Sequence, residues 1–347
     1  MYPALAVHSA LAAKVPDMDA LWVGSQSGME ESLVRRQGLS FRSIPAAGVH
    51  GVGLATLPRN LTMLGRGVLA ARRILNEFQP DVMFFTGGYV AVPVALAGPS
   101  VPTLLYVPDI EPGMALKSLA RFADAITVTT DQSQKYFRKP VHEVGYPLRA
   151  DLALWDRKTA NQHLGISGEF PVLLAFGGSL GAHSINQAVL NNLPKLLEKF
   201  EIIHLSGEQD WKVVSSAREG LPKQLAARYH AMPYLHEMGA ALAAADLVLS
   251  RGGASCLGEY PLFGLPAILV PYPHAWRYQK VNADYLTRRG AAITLDDHRL
   301  NDDLLVTLSV LMENPNKLKA MRAAMFELSH PRAAEKIASA LINLAGD

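Results

Sequence analysis

Three segments bring paired glycines to the end of a short apolar run and then pass into a helical pattern: Phe84-Phe85-Thr86-Gly87-Gly88-Tyr89, Ala175-Phe176-Gly177-Gly178-Ser179-Leu180-Gly181 and Leu249-Ser250-Arg251-Gly252-Gly253-Ala254. Glycine permits positive φ and close backbone approach, and a helix starting there presents unpaired N–H groups at its positive end. That combination suits a phosphate. An α/β chain also needs glycine at tight strand-to-helix turns, so one such pair alone would carry little weight. Three pairs, two of them in the second half of the chain, favour a diphosphate ligand beside Gly178, Ser179, Arg251, Gly252 and Gly253.

The third turn carries more chemistry. Glu259 lies five residues into a helix expected to start near Ala254, in a segment that is otherwise apolar or small. A carboxylate there can accept two hydrogen bonds from the cis-diol of a ribose, as acidic residues do in dinucleotide sites; the alternative is a solvated helix carboxylate. Downstream, His274-Ala275-Trp276-Arg277-Tyr278-Gln279-Lys280-Val281-Asn282 comes after a strand ending in Val270-Pro271. Polar groups just beyond the carboxyl end of a parallel strand sit at the ligand crevice. Gln279 and Asn282 are therefore candidates for sugar hydroxyls, or else loop residues facing water.

The elements that must position these groups are short apolar runs at 20–23, 81–85, 103–107, 125–129, 172–176, 201–205, 247–250 and 267–270, alternating with helical patterns. Continuous apolarity in a short run marks a strand buried on both faces, as in a parallel sheet. The expected fold class is α/β, with two doubly wound parallel sheets. A break in the pattern at 145–157 marks the linker, giving domains over 1–147 and 148–329 and a terminal segment 330–347. The opening departs from this scheme, because Pro3 stands in the first turn of a helix over 4–13 where a strand and a glycine turn are expected first. Either the chain starts late or its first domain lacks a central strand.

The 347 residues suffice for two cores, and 49% are hydrophobic against 18% charged, which excludes a disordered or collagen-like chain. A net charge of +2 is too small for a nucleic-acid footprint. Up to residue 150 there are 14 basic and 11 acidic residues, and after it 19 and 20, so any attraction to an anionic surface belongs to the first half. The single cysteine, Cys256, forms no internal disulfide and reads as a small buried residue. His8, His163 and His204 have no metal-ligand spacing. With no apolar run near 18 residues and no signal peptide, the expected compartment is cytoplasmic.

Gly177-Gly178-Ser179-Leu180-Gly181-Ala182 with Asn186, Ala245-Asp246-Leu247, Arg251-Gly252-Gly253-Ala254 with Glu259, Gly264-Leu265-Pro266, His274, Gln279 and Asn282-Ala283 together resemble the MurG family of peptidoglycan N-acetylglucosaminyltransferases. Phe85 to Val90, Arg121 to Asp124 and Gly145-Tyr146-Pro147-Leu148-Arg149 resemble its first-domain and hinge motifs. The likeness implies a GT-B fold, two Rossmann-like domains facing a cleft, with the terminal helix returning to the first. It implies transfer from UDP-N-acetylglucosamine to lipid I, giving lipid II, with inversion at the anomeric carbon and no metal or cofactor. Carried over, Ser179 would contact the diphosphate, Glu259 the ribose, Gln279 and Asn282 the sugar region, and Leu235 the uracil through its backbone. Arg149 would reach into the cleft from the hinge.

Some positions depart from the family pattern. Its opening Gly-Gly-Thr-Gly-Gly-His loop, which supplies a candidate catalytic histidine, should end just before Met1. Its His-Glu-Gln-Asn stretch aligns with Tyr106-Val107-Pro108-Asp109, leaving Asp109 as the first candidate base and Glu111 as the second; both are otherwise ordinary loop carboxylates. Tyr278 and Leu180 replace glutamines, which loosens the expectation for donor selectivity. Two alternatives stay open: a UDP-N-acetylglucosamine 2-epimerase of the same fold, and a catalytically incomplete nucleotide-sugar-binding subunit.

One segment is strongly basic. Arg59, Arg66, Arg72 and Arg73 stand against one acid, Glu77, with Leu57, Leu61, Leu64 and Val68 at helical spacing. Such a helix either lies on an anionic bilayer or packs its apolar stripe on its own sheet with solvated arginines outside. Because the family's acceptor is polyprenyl-linked, the resemblance implies a peripheral protein at the cytoplasmic face of the inner membrane.

Overall fold

The computed structural model describes residues 1–26, 30–47, 57–178, 180–274 and 277–346. The chain divides into two compact units, Met1–Pro147 with Arg332–Asp347, and Leu148–Pro331.

In the first unit, β1 (Leu21–Ser25) pairs in parallel with β2 (Ser40–Ile44), and β3 (Met83–Phe85), β4 (Thr103–Val107), β5 (Ala125–Val128) and β6 (His142–Glu143) form a second parallel sheet in that order. Among the described residues these are two sheets, not the single one expected. β4 is buried at all five positions, as a doubly covered strand should be, whereas β1 is mostly half-exposed. The opening helix, Tyr2–Lys14, places Pro3 in its first turn, where the missing N–H costs nothing. Ile337 and Leu341 of the last helix, Ala333–Gly346, pack with Val7 of that opening helix and with Leu104 and Tyr106 of β4.

The second unit holds β7 (Val172–Phe176), β8 (Glu201–Leu205), β9 (Tyr229–Met232), β10 (Leu247–Ser250), β11 (Ala267–Leu269) and β12 (Ala292–Thr294). Their order, β12-β11-β10-β7-β8-β9, all parallel, is the Rossmann order. Leu173, Ala175, Ile202, Leu249 and Ile268 bury one face under the helices His183–Asn191 and Leu300–Met312, through Ile185, Val189, Leu304 and Leu308. The strands that apolarity did not reveal, β2, β6, β9 and β12, all lie at sheet edges. An edge strand is covered less completely, so its residues need not form a continuous apolar run.

Candidate functional site

β7 and β10 are neighbours with Phe176 opposite Ser250, and the direction of strand addition reverses between them. Ligands of doubly wound sheets bind outside the carboxyl ends of the strands at that switch point. The glycine turns leave β7 at Gly177 and β10 at Arg251, so they emerge side by side there.

The first turn needs its glycines. Gly181 has φ +81°, and a Cβ on it would collide with the carbonyl oxygen of Ser206. The turn is thus pressed onto the segment after β8 and delivers the chain to the His183–Asn191 helix. Beneath it a buried network fixes that helix. His204 lies between the Tyr229 hydroxyl (2.7 Å from Nδ1) and Asn186 Oδ1 (2.9 Å from Nε2). Asn186 Nδ2 donates to Ser206 O and to Asp210, which also holds His183. Burial pushes His204 down to about 4, so it is neutral at ordinary pH. Gly178 is exposed; Ser179 lies outside the described residues.

The second turn contains two glycines of different kinds. A Cβ on Gly252 would strike the carbonyl oxygen of Gln279, so the packing itself demands glycine there. Gly253 has φ −67°, and a Cβ on it would meet nothing within 4 Å. The chain beyond Gly253 does not form the single helix expected from the sequence. A 3-10 helix, Ala254–Leu257, ends at Gly258, and a separate helix, Glu259–Phe263, begins with Glu259. Gly258 breaks the run with φ −131° and ψ −46°, outside the α region. Tyr260, buried, fastens the second helix through its hydroxyl to Ser250 Oγ at 2.6 Å. Glu259 is thereby held at the carboxyl end of β10, half-buried, beside Ser255, Arg149 and Asp151. Desolvation pushes its carboxyl up to about 7, although the Arg149 charge and the Ser255 hydrogen bond both favour the ionised form.

The remaining candidate residues of this unit occupy different places. Arg149 is the N-cap of the 3-10 helix Ala150–Leu154, with Nε 3.5 Å from Asp151 Oδ1 and its side chain 29% exposed. Arg251 is turned into the protein: its guanidinium is bonded to Asp297, to Ser184 Oγ and to the carbonyl of Val270. Gln279 Oε1 accepts the N–H of Tyr272 at 2.8 Å, and Asn282, fully buried, donates to the Gly252 carbonyl at 3.1 Å. Asn282 thus braces the second turn from behind. Leu235, half-buried, comes after β9 in a loop tied to the segment beyond β8 by Gly207 N donating to Pro233 O. Beyond β11 and β12 lies a cavity of about 760 Å³ bordered by Tyr272, His274, Arg277, Lys280, Asp297 and His298. Sequence reasoning missed Ser184, Tyr260 and Asp297, which carry no motif of their own.

In the first unit, Asp109 and Glu111 come after β4. Their loop is pinned on both sides of Asp109, by Thr129 Oγ1 donating to Pro108 O (2.7 Å) and Ser133 Oγ donating to Ile110 O (2.9 Å). Asp109 is half-buried, whereas Glu111 is 7% exposed. Among the described residues no group of three or more His, Cys, Asp or Glu could hold a metal.

Two Rossmann-like units, one with glycine turns on both sides of its switch point, define the GT-B fold, and the family matches make it that of a glycosyltransferase. Residues 1–128 match the glycosyltransferase family 28 N-terminal domain and residues 172–337 its C-terminal domain. The chain belongs to that family and, within it, to the MurG group. A protein of Roseiflexus sp. (strain RS-1), described as a UDP-N-acetylglucosamine–N-acetylmuramyl-(pentapeptide) pyrophosphoryl-undecaprenol N-acetylglucosamine transferase, is 39% identical over 99% of this chain and 92% of its own. Among solved structures, Acinetobacter baumannii MurG superposes with a TM-score of 0.78 at 24% identity, covering 99% of this chain and 95% of that one. The UDP-GlcNAc 2-epimerase of Neisseria meningitidis shares the fold at a TM-score of 0.69 and 12% identity, over 99% and 98% of the two chains.

Proposed function

We propose that this chain moves N-acetylglucosamine from UDP-N-acetylglucosamine to lipid I, forming lipid II for peptidoglycan, with inversion at the anomeric carbon. The observation that carries this reading is the pair of glycine turns at the switch point with Glu259 held beside Arg149. In this reading the turn amides and Arg149 meet the diphosphate, and ionised Glu259 accepts the ribose hydroxyls. Gln279 faces the sugar, and the backbone at Leu235 reads the uracil. As the bond from the anomeric carbon to the diphosphate oxygen breaks, negative charge grows on UDP. Fixed N–H dipoles and a guanidinium stabilise it without reorganising. The acceptor hydroxyl attacks from the opposite face and gives its proton to a carboxylate, for which Asp109 is preferred over buried Glu111.

Sugar transfer to a lipid I analogue, measured beside mannosamine release, tests the reading; release without transfer would mean the epimerase instead. Glu259→Ala should weaken UDP binding by about 1–3 kcal/mol, as expected when charged hydrogen bonds are lost. Unchanged calorimetric affinity in that variant rejects the ribose role.

The same reading places the protein peripherally on an anionic membrane. On the Leu57–Phe78 helix, Leu61 and Leu69 are 52% and 70% exposed, with Arg59, Arg66, Arg72 and Arg73 exposed alongside. Leu64 and Val68 are half-buried, and Gly67 and Ala71 are buried on the inward face, so the outward apolar pair is Leu61 and Leu69. The side chain of Leu57 lies outside the described residues. Among the described residues no helix is long and apolar enough to cross a membrane.

A further inference from the structure

Asp297, Ser184 and Arg251 form a closed triangle. Arg251 Nη1 bonds Asp297 Oδ1, Arg251 Nη2 donates to Ser184 Oγ at 2.9 Å, and Ser184 Oγ donates to the same Asp297 oxygen at 2.6 Å. Arg251 Nη1 also donates to Val270 O at 3.0 Å, and its guanidinium stands 5.2 Å from the Tyr272 ring centroid. The side chains of Arg251 and Asp297 are only 11% and 19% exposed, so this is a largely desolvated ion pair.

The triangle draws on the carboxyl ends of four strands, β7, β10, β11 and β12. Ser184 is the second residue of the helix beyond the first glycine turn, and Arg251 immediately precedes Gly252 and Gly253. Val270 lies just past β11, and Asp297 comes from the 3-10 helix after β12, two strands from β10. Backbone hydrogen bonds of the sheet fix β7 against β10 only up to Phe176 and Ser250. Beyond that point, the separation of the two turns is free to change unless something else spans them. Among the described residues, Asn282 braces the second turn through the Gly252 carbonyl, and the His204 network holds the helix beyond the first. The triangle joins both.

We infer that Asp297, acting through Arg251 and Ser184, is a positioning residue that sets the spacing of the two glycine turns for a nucleoside diphosphate. Arg251 is then a strut and not a phosphate ligand. The inference rests on the donor-site reading and deepens it.

Three variants test it by calorimetry with UDP and by thermal melting. Asp297→Ala leaves Arg251 largely buried without its counter-ion, so the melting temperature falls and the UDP Kd rises about tenfold. Ser184→Ala, which loses no charge, raises the Kd about threefold with a smaller loss of stability. The Arg251→Met/Asp297→Leu pair removes the charges together, so melting returns toward wild type while UDP binding stays weak. That split is the expected result, because a merely structural ion pair would let affinity recover with stability. Recovery of affinity in the double variant would overturn the inference, and so would tighter UDP binding by Asp297→Ala, which would mean that Asp297 withholds Arg251 from the ligand. If the wild-type protein itself binds no UDP, the donor-site reading falls and the role of the clamp falls with it.

Discussion

Gly252 and Gly253 are adjacent, yet their substitution by alanine should have opposite consequences. At Gly253 the backbone already has φ −67° and the space where a Cβ would stand is open. Alanine there restricts the unfolded chain without straining the folded one, so stability should be unchanged or should rise by up to about 1 kcal/mol. For a unit of this size that is at most about 2–4 °C in melting temperature. Nothing among the described residues therefore requires glycine at 253, whereas a ligand against its Cα would. If UDP lies there, the added methyl costs roughly 1–3 kcal/mol of overpacking, or about 5- to 150-fold in Kd. At Gly252 the methyl runs into the Gln279 carbonyl, so Gly252→Ala should lose about 1–3 kcal/mol of stability whether or not UDP is present. Melting curves with and without UDP, with calorimetric titration of each variant, make the comparison. A Gly253→Ala protein that binds UDP as tightly as wild type would refute the reasoning, since the ligand would then not approach the second turn.

Two pH effects of opposite sign are expected. His204, pushed down to about 4 from 6.5, leaves the folded state short of a proton between those values, so its contribution to stability is lost as pH falls through that window. Glu259, pushed up to about 7 from 4.5, binds a proton in the folded state, so its contribution is lost as pH rises through its own window. The two act in opposite directions, so chemical denaturation of Glu259→Gln should show a stability that falls more steeply on acidification than that of wild type; a profile parallel to wild type would contradict this. UDP affinity should rise between about pH 6 and 8 in wild type by more than in Glu259→Gln, because in the proposed ribose role only an ionised carboxylate can accept from both hydroxyls. On the Leu57–Phe78 helix, if it binds an anionic bilayer as proposed, Arg66→Glu/Arg72→Glu and Leu61→Ser/Leu69→Ser should each reduce sedimentation with anionic liposomes, and only the first effect should disappear at high salt. Binding unchanged in both variants would remove the bilayer role of this helix.

Periodicity and glycine placement already determined much of this protein. Mainly apolar runs marked β4, β7, β8 and β10, because a strand covered on both faces admits a polar residue only where partners satisfy it, as Tyr229 and Asn186 do for His204 in β8. The paired glycines marked both turns at the switch point, because positive φ at Gly178 and Gly181 and close backbone approach at Gly252 disfavour a side chain. Tertiary structure decided the rest. β9 and β12 lie at edges, where incomplete cover leaves no apolar signature. The break at Gly258 that makes Glu259 the head of its own helix was hidden in a segment that reads as one helix. Whether the Arg251 guanidinium meets a ligand or a protein carboxylate depends on Asp297, 46 residues away in the chain. Local sequence records what a residue's own backbone must do, whereas the partner of a long charged side chain is chosen by the order in which the strands are laid side by side.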